Sequence, residues 1–228
     1  METRPTNSQL NKDMAFGQRV KKRPWGIDAE WALSMQAIAI AQFYIKIWPG
    51  VEIIELDRGM KGTLATIIDI GGQDTKVIRI NEAGNVVSFA MNDKCAAGTG
   101  RFLEVMARAL ELEISEIGPM SLKGNNPCQI SSTCTVFAET EVVALLTKGN
   151  SREDLLGGIH KAVTSRVMSM VRMMGYEKQV VLTGGVAKNV GIKKFLEDEM
   201  KMEVMTPKEP QITGALGAAL VAELASVS

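Results

Sequence analysis

Two cysteines lie in segments whose composition suits metal binding. Cys95 stands within Met91–Phe102, beside a Gly-Thr-Gly turn where a helical pattern begins. Cys134 lies within Ser131–Glu139, again at the start of a predicted helix. The free N–H groups of a helix N-terminus stabilise negative charge, and therefore a thiolate. The pair suits an anionic metal cluster, and the alternative from composition alone is two ordinary buried cysteines.

The spacing of the cysteines decides which cluster is feasible. Cys95 and Cys134 are 39 positions apart and the chain has no Cys-x-x-Cys, so one subunit cannot supply the four thiolates of a usual [4Fe–4S] site. Two subunits, each giving two thiolates across a two-fold axis, could. Zinc is the rival, although structural zinc usually shows close cysteine pairs. Cys128 follows Asn125–Pro127 in a predicted loop and is read as incidental. His160, the only histidine, is expected at the surface or partly packed.

Three glycine-containing segments suit a nucleotide. They are Asp69–Lys76, Thr183–Asn189 and Gly214–Ala219. Glycines let backbone N–H groups approach phosphate oxygens, and a helix N-terminus favours an anion. Asp69 and Asp74 could hold Mg²⁺ through water. Each segment alone has a simpler interpretation, a Gly-Gly hairpin or close helix packing, and none is a Walker A loop.

Composition limits the class of protein. The 228 residues are 46% hydrophobic and carry equal numbers of acidic and basic side chains, so no global field attracts nucleic acid. Three cysteines without a secretory signal make no disulfide framework and favour the cytoplasm. The apolar run Trp31–Trp48 is interrupted by Gln36, Gln42 and Lys46 and is short for a membrane span of about 20 residues. It is predicted to be a buried helix, not a membrane segment.

Alternating strand and helix patterns predict the elements that position these residues. Residues 1–30 are polar and irregular and are expected to be poorly ordered. Ser151 and Asp154 resemble a capping box at the start of a long amphipathic helix that reaches Met174. The resulting alternation indicates an α/β layered domain. The other predicted strands are Val51–Leu56, Ala65–Ile70, Lys76–Ile80, Val86–Met91, Val180–Leu182 and Glu203–Met205, and the other predicted helices are Gly100–Leu112, Cys134–Lys148, a short helix before Glu203 and Ile212–Ala222.

The order of the motifs resembles one protein family. Ile68–Lys76, Asn92–Phe102, Ser131–Glu139, Thr183–Asn189 and Gly214–Leu220 together resemble the activator ATPases of 2-hydroxyacyl-CoA dehydratases, which belong with the ATPase subunits of benzoyl-CoA reductases. The resemblance covers about residues 64–222. It implies the actin/hexokinase/Hsp70 fold, in which two ribonuclease-H-like lobes hold ATP between them.

The resemblance also implies roles for individual residues. Asp69, Gln73 and Asp74 would serve catalysis of ATP hydrolysis in the second phosphate loop. Cys95 and Cys134 match the two cysteines that each subunit gives to one [4Fe–4S] cluster bridging a homodimer. Gly214 would begin an interlobe connection. The residues implied in binding ATP or ADP with Mg²⁺ are Gly71, Gly72, Gln73, Gly98, Thr99, Gly184, Gly185 and Gly214.

The activity that the resemblance implies is ATP-dependent transfer of one electron. A ferredoxin or flavodoxin would reduce the cluster, and ATP binding and hydrolysis would change the lobe angle. The electron would then pass to the partner, a 2-hydroxyacyl-CoA dehydratase. A role as the ATPase subunit of a benzoyl-CoA reductase-type complex is the alternative. No nucleic acid or membrane is expected as a partner.

The chain departs from the family pattern at its N-terminus. The first phosphate loop, Asp-x-Gly-Ser-Thr-x-(Ser/Thr)-Lys, has only a faint echo in Gly26–Glu30. Residues 1–63 are therefore predicted to be a truncated or divergent remnant of the first lobe, and residues 64–228 an intact second lobe that carries the cysteines. Two further interpretations stay open. One is a small-molecule kinase of the same fold, and the other is a non-hydrolysing remnant that binds cluster or partner only.

Overall fold

The computed structural model describes residues 65–81, 86–92, 95–131, 134–177 and 179–218. The predicted helix Trp31–Trp48, the predicted strand Val51–Leu56 and the predicted first-lobe remnant at 1–63 lie outside these ranges. Within the described residues, no helix is long and apolar enough to cross a membrane.

A five-stranded mixed sheet forms the centre of the domain. The strand order is β3-β2-β1-β4-β5. β1 pairs antiparallel with β2, and β2 with β3, whereas β4 runs parallel to both β1 and β5. The predicted hairpin and third strand are therefore confirmed. The strands are β1 Ala65–Ile70, β2 Thr75–Ile80, β3 Val86–Asn92, β4 Gln179–Thr183 and β5 Val204–Met205.

Five α-helices, one 3₁₀ turn and the described first part of a C-terminal helix complete the described part of the fold. The predicted cap is present, because the Ser151 side chain accepts a hydrogen bond from the Asp154 N–H at 3.1 Å. The predicted C-terminal helix is seen over residues 213–218, and residues 219–222 lie outside the description. The helices are α1 Gly100–Ala109, α2 Ile114–Ser121, α3 Thr135–Thr147, α4 Arg152–Met174 and α5 Val190–Met200, with a 3₁₀ turn at Gly185–Lys188.

One helix, α2, was not predicted from the sequence. Gly118 and Pro119 lie inside it and disguised the helical pattern. Its N-terminus carries the signal that could have revealed it, because Glu113 and Glu116 form a reciprocal capping box. α2 packs against α4 and α5 and is therefore part of the helix layer, although the sequence analysis did not predict it.

The two faces of the sheet have different surroundings because side chains alternate along each strand. Ile68, Ile70 and Val77 face the main core, which also collects buried residues from α1 to α5. Ile67 and Ile78 belong to a second, smaller cluster on the opposite face. The domain is therefore α/β with its main core on the helix side.

Candidate functional site

Three polar side chains form a row across neighbouring strands near the strand ends. Asp69 is paired in register with Lys76 on β2 and with Thr183 on β4. The Thr183 hydroxyl donates a hydrogen bond to Asp69 Oδ1 at 2.7 Å. Lys76 Nζ lies 3.7 Å from Asp69 Oδ2 and 2.8 Å from Asp74 Oδ1. Predicted site residues Asp69 and Asp74 are thus brought together by a buried lysine.

Burial of Lys76 and Asp69 affects the pKa of the Asp69 carboxyl. Lys76 is 3% exposed and Asp69 is 8% exposed. Desolvation raises the pKa of the Asp69 carboxyl above its usual range, while the hydrogen bond from Thr183 and the charge of Lys76 oppose that rise. A charged carboxylate here depends on its cationic neighbour, so Lys76 belongs to the site.

The β1–β2 turn places the remaining phosphate-loop residues at its tip. The Gly71 N–H donates to the Asp74 carbonyl at 2.9 Å, which closes the turn. Gly72 and Gln73 are exposed. The backbone of the turn and the Gln73 side chain therefore face outward, where a phosphate could reach them.

The same turn is hydrogen-bonded to the start of α1. The Gly71 and Gly72 carbonyls accept hydrogen bonds from the N–H groups of Gly100 and Arg101, both at 2.8 Å. A Cβ at Gly100 would lie 3.2 Å from the Gly72 Cα, which is tighter than most Cβ contacts, so the close approach favours glycine. The sequence analysis predicted that the free N–H groups at the start of α1 stabilise a thiolate at Cys95. Two of its first N–H groups instead bind the turn, and Cys95 lies five positions before the helix.

The loop that contains Cys95 is fixed by side chains of β2 and β3. Asn92 Nδ2 donates to the Cys95 carbonyl at 2.9 Å and to the Ala97 carbonyl at 3.2 Å. The Thr75 hydroxyl donates to the Gly98 carbonyl at 2.6 Å. Thr75 and Asn92 are directly opposite each other in the sheet. The sheet thereby determines where Cys95 lies.

Cys134 has a different setting. It is the N-cap of α3, as predicted, and it is exposed. The preceding segment is tied to α4, because the Asp154 carbonyl accepts from the Cys128 N–H and Asp154 Oδ1 accepts from the Asn126 N–H. A Cβ at Gly158 would collide with the Cys128 carbonyl. This segment, residues 125–130, is called the α4 strap below.

The predicted adenosine turn begins where β4 ends. Gly184 has φ +84°, and a Cβ there would collide with the Ile70 carbonyl, so only glycine fits beside β1. The Gly184 N–H donates to the Pro210 carbonyl at 2.9 Å. Gly185 lies against the Gln211 side chain. Gly214 falls in the first turn of the 213–218 helix that follows.

The helices that follow the two predicted cluster cysteines lie side by side. α1 and α3, the helices that follow Cys95 and Cys134, pack against each other. The three described cysteines form no disulfide. Among the described residues no group of three or more His, Cys, Asp or Glu side chains could hold a metal ion. The assignment of Cys95 and Cys134 as the two thiol ligands of one protomer therefore stays a prediction.

A cavity of about 620 Å³ borders the Cys95 loop on the helix side of the sheet. Gly98, Cys128, Lys161 and Arg166 are among its lining residues. It does not include Asp69 or Gly184. The cavity is therefore separate from the predicted nucleotide residues, apart from Gly98.

Sequence reasoning missed the residues that hold the site together. Thr183 hydrogen-bonds to Asp69 across the sheet, Thr75 and Asn92 donate to carbonyls of the Cys95 loop, and Lys76 supplies the buried charge. The feature that could have revealed these residues is the strand register, since polar residues at the ends of three adjacent strands must meet. That register was not derivable before the strand order was known.

Curated relatives share much of the sequence. The 2-hydroxyisocaproyl-CoA dehydratase activator of Clostridioides difficile is 52% identical over 157 residues, which are 69% of this chain and 59% of the relative. The (R)-2-hydroxyglutaryl-CoA dehydratase activating ATPase of Acidaminococcus fermentans is 48% identical over 176 residues, 77% of this chain and 62% of the relative. The chain thus spans about three fifths of these relatives.

A solved structure agrees with the fold. It is the activator of the 2-hydroxyisocaproyl-CoA dehydratase from Clostridium difficile with bound ADPNP, at a TM-score of 0.72 and 46% identity over 82% of this chain and 65% of that one. The predicted actin/hexokinase/Hsp70-type α/β fold is confirmed. Residues 53–222 match the BadF/BadG/BcrA/BcrD ATPase family, and the chain belongs to this family.

Proposed function

We propose that the chain is an ATP-dependent one-electron donor that activates a 2-hydroxyacyl-CoA dehydratase. Two protomers would share one [4Fe–4S] cluster, to which each gives Cys95 and Cys134. ATP or ADP with Mg²⁺ would bind at the β1–β2 turn and the adenosine turn. A ferredoxin or flavodoxin would supply the electron. The family membership and the named relatives support this choice of reaction.

The proposal depends on two hydrogen bonds between α1 and the β1–β2 turn, which is called the phosphate turn below because phosphate is proposed to bind there. The N–H groups of Gly100 and Arg101 bind the carbonyls of Gly71 and Gly72. A phosphate that reorients this turn must also move the start of α1, because two hydrogen bonds join them. Cys95 lies in the loop that leads into this helix. Nucleotide state and cysteine position would then be mechanically linked.

Each thiolate pair would need a second protomer to complete the site. A cluster held by four thiolates supplies a single low-potential electron. Beside Cys134, Val136 is 66% exposed and Phe137 is 68% exposed. Large apolar side chains exposed next to each other are typical of an interaction surface. This surface would bury against its symmetry-related copy and bring the two Cys134 residues together.

At the phosphate end, the chain's own residues would act by charge and position. Asp69 already accepts a hydrogen bond from Thr183 and forms an ion pair with Lys76, so Mg²⁺ would be held through its water molecules. Asp74 would share that task, and the exposed Gln73 would orient a water for attack. Lys76 would place its positive charge beside both carboxylates and the phosphates.

Iron content of cysteine variants tests the cluster assignment. Anaerobically reconstituted protein should be a brown dimer with about four irons. Cys95→Ala and Cys134→Ala should each lose the iron and the colour. Cys128→Ala is the matched control, because its thiol lies on the α4 strap and should be dispensable. Full iron in either of the first two variants would overturn the ligand assignment.

Nucleotide binding is tested by Gly71→Asp. A Cβ at Gly71 would lie 2.9 Å from Asp74 Oδ1, so the new carboxylate adds crowding and negative charge where phosphate would bind. Calorimetric binding of MgADP should be lost while iron content stays. Unchanged MgADP binding would show that the turn is not the phosphate site. Activation of a purified dehydratase component by the wild-type chain would test the partner separately.

A further inference from the structure

We propose that His160 is a positioning residue for the adenosine turn and acts through Asn189. The inference rests on the proposed function, because it assumes that the turn Gly184–Lys188 holds the adenosine part of a nucleotide. His160 lies on α4, on the far side of this turn. Neither the family match nor the relatives' names assign it a role.

His160 is fully buried, contrary to the sequence expectation of a surface or partly packed residue. It is 0% exposed. Its Nδ1 lies 2.8 Å from the Leu156 carbonyl oxygen, and its Nε2 lies 3.1 Å from Asn189 Oδ1. Phe195 covers the ring, with 6.0 Å between the ring centroids. A buried polar ring with two such contacts has a fixed orientation.

Asn189 joins the adenosine turn to α5. Its N–H donates to the Val186 carbonyl at 2.9 Å and closes the 3₁₀ turn. Its Oδ1 accepts from the N–H groups of Gly191 and Ile192 at 2.9 and 3.1 Å, so it caps α5. Any shift of Asn189 would therefore move the end of the turn and the start of the helix together.

Two glycines leave the space that this contact needs. A Cβ at Gly118 would lie 2.7 Å from Asn189 Oδ1. A Cβ at Gly191 would collide with the Ser121 hydroxyl and lie 2.8 Å from the His160 ring. α2, α4 and α5 therefore converge on the His160–Asn189 pair, which is more than the capping of α5 requires.

The ring has one proton to give. Burial lowers the pKa of His160, so the ring is neutral at pH 7. The Leu156 carbonyl already accepts the backbone N–H of residue 160 in the helix ladder. Both ring nitrogens face oxygen atoms, so a neutral ring can donate to only one of them. We place the proton on Nε2, where donation to Asn189 Oδ1 links α4 to the turn. This bond sets the direction in which the turn presents Gly184 and Gly185.

Two substitutions at residue 160 separate this bond from packing. His160→Gln extends an amide to the Nε2 position and keeps the donor to Asn189. His160→Asn places its amide near the Nδ1 position and keeps only the Leu156 contact. We expect about tenfold weaker MgADP binding by calorimetry for His160→Asn and near wild-type binding for His160→Gln, since one hydrogen bond is changed.

Two further variants complete the design. Asn189→Ser retains a good helix cap but is too short to reach His160, and it should weaken binding as His160→Asn does. The double variant should be no weaker than either single one. Val167→Ala, fully buried on the same helix, should lower Tm and leave MgADP affinity unchanged.

The outcomes separate this inference from the proposed function. Wild-type affinity in both His160→Asn and Asn189→Ser, with only Tm lowered, would make His160 purely structural and overturn the inference. Should His160→Asn not fold, Asn189→Ser decides, because its cap is intact. A wild-type chain that binds no MgADP would overturn the nucleotide part of the proposed function and this inference with it.

Discussion

The two cysteine segments differ in what holds them. Cys95 lies in a loop that accepts hydrogen bonds from Asn92 and Thr75, next to residues such as Thr99 that are fully buried. Cys134 begins a helix in which only Ala138 and Val142 are buried. The first segment is fixed by the sheet, and the second presents apolar side chains to the outside.

Under the proposed function, this difference would give the two cysteine segments different roles. The Cys95 loop continues into α1, whose first N–H groups bind the phosphate turn, so it is placed to respond to nucleotide. The α3 helix behind Cys134 has the exposed Val136 and Phe137, so it is placed to meet a partner. A thiol pair drawn from both segments would sense nucleotide on one side and the dimer on the other.

The largest difference between the two cysteine segments should be in how much substitutions on their helices, α1 and α3, lower the free energy of unfolding. Phe102 on α1 is 2% exposed, whereas Phe137 on α3 is 68% exposed. Phe102→Ala should cost about 3–5 kcal/mol in the free energy of unfolding, because it leaves a cavity. Phe137→Ala should change it by less than about 0.5 kcal/mol. Urea unfolding of dilute, cluster-free protein measures both, and equal losses would erase the comparison.

The association of protomers should show the reverse preference. Phe137→Glu places a charge on the exposed face of α3 and should weaken dimerisation by about 2 kcal/mol or more, as expected for a buried aromatic contact. Sedimentation of the reconstituted protein measures the dimer fraction. Glu104→Gln on α1, an exposed position, is the control. A dimer of unchanged strength would place the interface elsewhere.

Removing a single threonine hydroxyl from each region should also change stability by different amounts. Thr75→Val removes the buried donor to the Gly98 carbonyl and should cost about 1–3 kcal/mol, because that carbonyl loses its partner. Thr140→Val, whose hydroxyl donates to the Val136 carbonyl on exposed α3, should be nearly neutral. Thermal unfolding of the two variants under one buffer condition tests this, and a costlier Thr140 change would refute it.

The smallest effect concerns pH. Bonds from the Asn126 N–H and from Ser151 lower the pKa of Asp154 below its usual 3.8, so the stabilisation is complete above 3.8 and is lost as pH falls through the lower folded value. Acid should therefore loosen the α4 strap before the Cys95 loop. Hydrogen-exchange protection factors of residues 125–130 and 96–101 compare the two.

Asp154→Asn supplies the control for that experiment. Its amide oxygen can still accept from Asn126, but it does not titrate, so the strap should lose its acid sensitivity. The Cys95 loop is fixed by Thr75 and Asn92, which do not titrate either. Equal acid sensitivity of the strap in wild type and variant would assign the effect to another group.

Much of the fold followed from local patterns. The hairpin, the long helix beginning at Ser151 and the turn at Gly184 have strong short-range signals, and the structure confirms them. α2 did not, because Gly118 and Pro119 broke its pattern. The positions of Cys95, Cys134 and the glycine motifs were found from residue type and spacing.

The contacts that hold the site required the strand order. Asp69 and Lys76 meet within the β1–β2 hairpin, whereas Thr183 lies on β4, more than 100 residues from β1 along the chain, so its meeting with Asp69 has no local signal. The same holds for His160 and Asn189, which meet only because α4 packs against α5. A lone histidine in a helical pattern gives no sign of which partner it faces.

The most direct test is the rate at which each thiol reacts in the cluster-free chain, with and without MgADP. Maleimide labelling followed by peptide mass spectrometry reports Cys95, Cys134 and Cys128 in one experiment. Nucleotide should slow the labelling of Cys95 several-fold and leave Cys134 and Cys128 unchanged in the monomer. MgADP that binds without altering Cys95, or that alters all three alike, would contradict a link from phosphate turn to α1.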